Sequence, residues 1–227
     1  MPRSASEREI ILTSIRLINW IQENKINVIA LKGTAAVPLR HLIANAWKAS
    51  GYPIEEMPKI IALGKTRNIT HDSENIEALE QAIREKRPKT YAEFQNPKNR
   101  ILFLDEYSET GLGITKLKQY FQTVGKARIF SGAFSFNNHS QKPGWTYTQG
   151  AWHKLDFVGS TQSPFSIYNL HGTARESLWL QVFRNPDRKK IHPKKDIHLK
   201  LVQASRQQLK KFGKIAGRFN RMRNRPK

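Results

Sequence analysis

Short apolar runs separated by stretches of helical spacing constrain this chain more than any other feature. INVIAL at Ile26–Leu31, KIIAL at Lys59–Leu63, ILFL at Ile101–Leu104 and part of Ala127–Phe136 are uniformly apolar or nearly so. Strands buried on both faces read this way. Between them, Ser6–Asn24 repeats Ile10, Leu12, Ile15, Leu17, Ile18 and Ile21 at helical spacing, with Ser6 and Glu9 placed as a capping box. Pro38–Ser50 is helical up to Gly51, Asp72 or Ser73 can cap a helix to about Lys86, and Ile114–Thr123 is a further helix. Lys86–Arg100, with Pro88 and Pro97, reads as a polar connection, and Asn137–Gly150 as a loop. Alternating strand and helix predicts an α/β domain with a mostly parallel sheet flanked by helices. The segments DFVG and ESLWLQVF are apolar but too short to assign.

Charge divides the chain. It carries 39 Lys and Arg against 18 Asp and Glu, a net +21. Residues 184–227 hold sixteen of those cations and only Asp187 and Asp196 as acids, which is +14 of the total. The expected organisation is therefore a domain at 1–183 and a basic C-terminal extension at 184–227. Such a surface attracts polyanions, nucleic acid foremost. Lys210, Lys211, Arg218, Arg221 and Arg223, interleaved with Phe212 and Phe219, are the candidate contacts. Ser205–Arg223 reads as a basic helix, although Gly213 and Gly217 lower its propensity. RNA and DNA are not distinguished, and the oligomeric state is left open.

The absence of cysteine excludes disulfides, thiolate metal sites and cysteine nucleophiles. No apolar run approaches the roughly 20 residues of a membrane span. The N-terminus lacks the pattern of a secretory leader, so a cytoplasmic protein without a membrane partner is expected. The seven histidines are scattered without ligand spacing, and no G-x-S-x-G elbow occurs.

The segment ILFLDEYSETGLGI, Ile101–Ile114, carries the most chemistry. Asp105 and Glu106 close a buried strand, where parallel α/β sheets bind ligands. Carboxylates there grip sugar hydroxyls or hold magnesium. Ser108–Gly113 is small and flexible and opens a helix, whose amides and dipole suit a phosphate. Together they describe a receptor for a phosphorylated ribose.

This stretch resembles the signature of the type I phosphoribosyltransferase family: four apolar residues, two acids, a variable trio, Thr-Gly and a small or polar pair. The resemblance implies a Rossmann-like phosphoribosyltransferase fold with a small hood. It further implies that Asp105 and Glu106 bind the ribose hydroxyls of phosphoribosyl pyrophosphate and its Mg2+. Ser108, Thr110, Gly111, Leu112, Gly113 and Thr115 would surround the 5′-phosphate, and Glu109 would act as general base on a base acceptor. One position departs: the family carries Thr or Ser where this chain has Gly113, and Thr115 is the substitute hydroxyl.

A second match lies after the first apolar run. Leu31, Lys32, Gly33 and Thr34 resemble the Leu-Lys-Gly-Gly loop of hypoxanthine–guanine members, which implies that Lys32, Gly33 and Thr34 bind pyrophosphate. Lys32 supplies charge and Gly33 lets the backbone approach an anion. Third, Lys154–Gly159 resembles a Lys-Pro-Asp-Phe-Val-Gly stretch of the same enzymes, with Leu155 in place of proline. By it Lys154 would read the base; Trp145, Tyr147 and Trp152 are aromatics that either stack on a base from a hood, Trp152 foremost, or pack as core or lid. The expected function is transfer or exchange of a base at ribose C1′, with nucleic-acid affinity from the extension. The alternative is a catalytically degenerate effector module of the same fold in a nucleoprotein complex, for example one of phage defence.

Overall fold

The computed structural model describes residues 5–32, 36, 39–63, 73–108, 111–136, 145–148, 151–160 and 195–224. Its centre is a five-stranded, all-parallel sheet. Five segments build it: β1 (Val28–Leu31), β2 (Lys59–Ala62), β3 (Arg100–Ser108), β4 (Arg128–Phe136) and β7 (Phe157–Ser160), in the order β2-β1-β3-β4-β7. A separate antiparallel ribbon pairs β5 (Trp145–Thr148) with β6 (Ala151–Lys154). The helices are α1 (Ala5–Glu23), α2 (Leu39–Ser50), α3 (Ser73–Lys86), α4 (Pro88–Gln95), α5 (Leu112–Val124) and α6 (Lys195–Arg223). This is the α/β architecture with a parallel sheet that strand–helix alternation predicts, and it is consistent with a Rossmann-like fold. No helix among the described residues is long and apolar enough to cross a membrane.

Alternation along the strands divides the core into two layers. Ile29, Leu31, Leu102, Leu104, Phe130 and Phe134 face α1, α2 and α6. Val28, Ala30, Ile101, Phe103, Ile129 and Ala133 face α3, α4 and α5. Because β1 and the first part of β3 are covered on both sides, Val28–Leu31 and Ile101–Leu104 are apolar throughout, and this is why those runs lack alternation. The helix after β1 thus lies on one face, whereas those after β2 and β3 lie on the other.

Three expectations change. The supposed polar connection at 86–100 contains α4: Pro88 occupies its first turn, where a missing N–H costs nothing. Phe94 is buried, 4.6 Å from Phe121 between ring centroids. The loop expected at 137–150 contains β5, which pairs with β6. The first helix begins at Ala5, so Ser6 lies inside it, and Glu9 accepts from Arg16 Nη2 at 3.0 Å.

α6 is longer than its sequence pattern suggests, and it is part of the core. Leu209, Phe212 and Ala216 are buried against α1 and α2. The glycines that weaken it as a helix make its closest crossing. A Cβ on Gly213 would lie 2.4 Å from the Leu42 carbonyl oxygen, and one on Gly217 2.3 Å from that of Ala46. Asn220 Nδ2 then donates to Ser50 Oγ and Tyr52 Oη, each at 3.3 Å. These contacts ascend both helices together, so α6 runs parallel to α2.

Candidate sugar-phosphate site

Strand order places β2 and β3 on opposite sides of β1, which opens a crevice between the carboxyl ends of β1 and β3. β1 pairs with β3 only as far as Leu31–Leu104, whereas β3 continues beside β4 to Ser108–Phe136. The four residues Asp105–Ser108 therefore project past the end of β1. Lys32 follows directly: its amide donates to the Leu104 carbonyl at 2.9 Å. Its Nζ donates to Asp105 Oδ2 at 2.7 Å, with side-chain exposures of only 14% and 10%. A pair this enclosed is held by its surroundings and is little screened.

Asp105 and Glu106 are both buried, but strand alternation sends them to opposite faces. Asp105 follows Ile101 and Phe103 on the α3–α5 face, and Glu106 follows Leu102 and Leu104 on the α1–α2–α6 face. The structure therefore joins Lys32 to Asp105 and places Glu106 on the other face of β3. Among the described residues no three His, Asp or Glu gather as a metal cluster.

The turn into α5 is built for its backbone. Gly111 caps the helix at φ +73°, a left-handed conformation that suits glycine. Its amide donates to the buried Ser108 Oγ at 3.0 Å, and its carbonyl accepts from the Thr115 amide at 3.0 Å. Gly113 and Thr115 are buried in the first turns of the helix. Among the described residues, Thr115 Oγ1 and Ser135 Oγ are buried without a hydrogen-bond partner. Both lie on the face that carries Asp105. Gly33, Thr34, Glu109 and Thr110 fall outside the described residues.

The Lys154–Gly159 segment has a structural role. The Asp156 amide donates to the Ser131 carbonyl at 2.9 Å, while its Oδ2 accepts from the Ser131 amide at 2.7 Å and from Lys118 Nζ at 2.8 Å. Gly159 passes so close to β4 that a Cβ there would lie 2.0 Å from the Phe134 carbonyl oxygen. The segment thus seats β7 in the sheet. Lys154 and Trp152 belong to β6, outside that sheet, and their side chains are outside the described residues. The anchoring by Asp156 was not anticipated. A carboxylate just before a short apolar run was its only sequence signal.

Lys210, Lys211, Arg218, Arg221 and Arg223 are all exposed on α6. The sequence did not reveal that α6 brings Arg206 and Lys210 to the start of α2. There, with Arg40, their charges reach the half-buried His41, and burial, then these cations, lower its pKa below the ordinary 6.5. That cluster needs the helix pairing, which sequence spacing alone does not contain.

The fold and crevice define a doubly wound α/β protein with a switch-point site. Comparison with protein-family models, curated proteins and solved structures finds no match to this chain.

Proposed function

We propose that this protein binds a phosphorylated ribose, phosphoribosyl pyrophosphate by the chemistry of the residues, in the crevice between β1 and β3. One observation carries the reading: a clamped Lys32–Asp105 pair and a glycine-capped helix start with an unpartnered buried Thr115 hydroxyl lie on the same face of the sheet. Asp105 would accept from a ribose hydroxyl. Lys32 would hold that carboxylate while presenting its charge to pyrophosphate, with Gly33 and Thr34 beside it. The first turn of α5 would receive the 5′-phosphate, and Thr115 would supply the hydroxyl that Gly113 lacks.

Glu106 lies within the β3–β4 ladder and on the other face of the strand, so the hydroxyl contact falls mainly to Asp105. A magnesium ion fits a site of this kind when substrate oxygens complete its shell, because it needs only one or two carboxylates from the protein. Asp105 fits that role, whereas Asp105 and Glu106 on opposite faces do not fit a joint cage. When bound, the ion would neutralise charge on the departing pyrophosphate. Glu109 would take the proton from an acceptor base as the C1′–oxygen bond breaks through an oxocarbenium-like state.

Titration with phosphoribosyl pyrophosphate and magnesium by calorimetry tests the reading. Saturable binding that Asp105→Asn removes is expected, and no binding at millimolar ligand by the folded protein overturns it. Gly113 favours a second reading, a sugar-phosphate-sensing effector without turnover. Glu109→Gln separates the two: it abolishes pyrophosphate release by an enzyme and leaves a sensor's ligand affinity unchanged.

A further inference from the structure

α6 carries a cationic face that the crevice by itself does not use. Lys211, Lys214, Arg218 and Arg221 recur at alternating three- and four-residue spacing, which puts them on one side of the helix, and Lys210 extends the row. All are exposed. At a rise of about 1.5 Å per residue the row spans roughly 16 Å. No acidic residue occurs between Arg206 and Asn224, and among the described residues none of the five cations has a carboxylate partner. Phe219 and Met222, both more than half exposed, border the row.

The row also has a direction. Arg221 lies over Gly51, Gly217 meets Ala46 and Ser50, Gly213 meets Leu42, and Lys210 and Arg206 stand by His41. Descending α6 therefore leads to the start of α2. The chain enters α2 soon after Lys32, through the expected pyrophosphate loop. At this rim the charges of Arg40, Arg206 and Lys210 all act on His41. On α1, Glu7 accepts from Gln208 Nε2 at 3.5 Å. An anion arriving here relieves a repulsion already present.

We propose that α6 is a track for single-stranded nucleic acid, and that it delivers one end of the strand past Arg40 and His41 into the β1–β3 crevice. A terminal ribose phosphate of the strand, not a free sugar phosphate alone, is then the group the crevice receives; this rests on the sugar-phosphate reading of the crevice. Charge complementarity identifies the occupant, and exposed Phe219 adds a surface on which a base stacks. A membrane is disfavoured because a helix lying on lipid needs its apolar face free. The apolar face of α6 is spent against α1 and α2 through Leu209, Phe212 and Ala216.

The test uses the full chain with fluorescein-labelled oligouridylate and oligothymidylate of about 12 nucleotides. Anisotropy is read between about 50 and 200 mM salt. Salt-sensitive binding is expected. The triple variant Lys211→Gln, Lys214→Gln, Arg218→Gln should shrink the slope of log affinity against log salt by roughly 2, at about 0.7 per lost phosphate contact. An unchanged slope overturns the track. So does binding to phosphatidylserine vesicles in place of oligonucleotides. Direction is read with a photoreactive nucleotide at one end or the other. Crosslinks to residues 100–128 from one end only support delivery, and equal crosslinking from both ends overturns it. The same variant should bind phosphoribosyl pyrophosphate like wild type. If wild type binds none while the oligonucleotide results hold, the phosphoribosyl pyrophosphate reading fails and the track stands.

Discussion

Lys32 Nζ donates to Asp105 Oδ2 at 2.7 Å across the gap where β3 outruns β1, and so ties the two strand ends that flank the switch point. The partners are 73 residues apart in sequence, and they face each other only because strand order makes β1 and β3 neighbours. The pair fixes the crevice's geometry before any ligand arrives, which is how a binding site limits the ordering cost of binding.

Removing one partner should therefore hurt more than removing both. Lys32→Met removes the cation bonded to a nearly enclosed carboxylate and is expected to cost roughly 2–3 kcal/mol. Lys32→Met with Asp105→Asn should recover at least half of that. Urea denaturation of the two variants measures the difference. A double variant as unstable as the single one would show that the pair's charges are not what couples the strands.

Thr115→Val separates stability from binding. The native hydroxyl is buried and has no partner among the described residues, so an isosteric methyl should be neutral or stabilising by about 1 kcal/mol. The same change removes a hydrogen bond to a charged phosphate, which predicts at least a tenfold loss of sugar-phosphate affinity, about 1.5 kcal/mol. Thermal melting and calorimetry on one sample read both. A variant that binds as well as wild type would take Thr115 out of the phosphate site.

Much of the architecture was legible because double burial writes itself into strands as unbroken apolar runs, as in Ile101–Leu104. The carboxyl-end position of Asp105 followed from that strand. What escaped was relational. Adjacent carboxylates look like a joint clasp until strand alternation separates Glu106 from Asp105. Gly213 and Gly217 look like helix breakers until another helix backbone approaches them. α4 hid between two prolines because only Phe94 among its residues is fully buried, and one apolar anchor makes no periodicity.

Gly217→Ala sets helix propensity against packing. In an isolated helix alanine gains about 1 kcal/mol over glycine. Here its methyl would stand 2.3 Å from the Ala46 carbonyl oxygen and 2.7 Å from the Ser50 amide nitrogen, backbone atoms that cannot swing away. Overpacking of this kind costs about 1–3 kcal/mol, so a net loss of stability is expected. Lys214→Ala, on the exposed side of the same turn, should change stability little. A stabilised Gly217→Ala protein would mean that α6 does not cross α2 this closely.

Glu93 predicts a specific acid response. Its carboxylate accepts from Lys59 Nζ and from Asn99 Nδ2, and the Lys59 bond, with the Asn99 bond behind it, lowers its pKa below the ordinary 4.5 against the opposing effect of burial. A depressed native value means that the charged form is favoured by folding. The stabilisation is therefore complete above pH 4.5 and drains away as pH falls through the lower native value. Lys59 is largely exposed, so solvent screening limits the contribution to below about 1 kcal/mol. Glu93→Gln should accordingly be slightly less stable than wild type at neutral pH. The two stability curves should converge in acid, as read by urea denaturation at stepped pH, and a gap that persists in acid would assign the loss to packing or to the Asn99 hydrogen bond instead of charge.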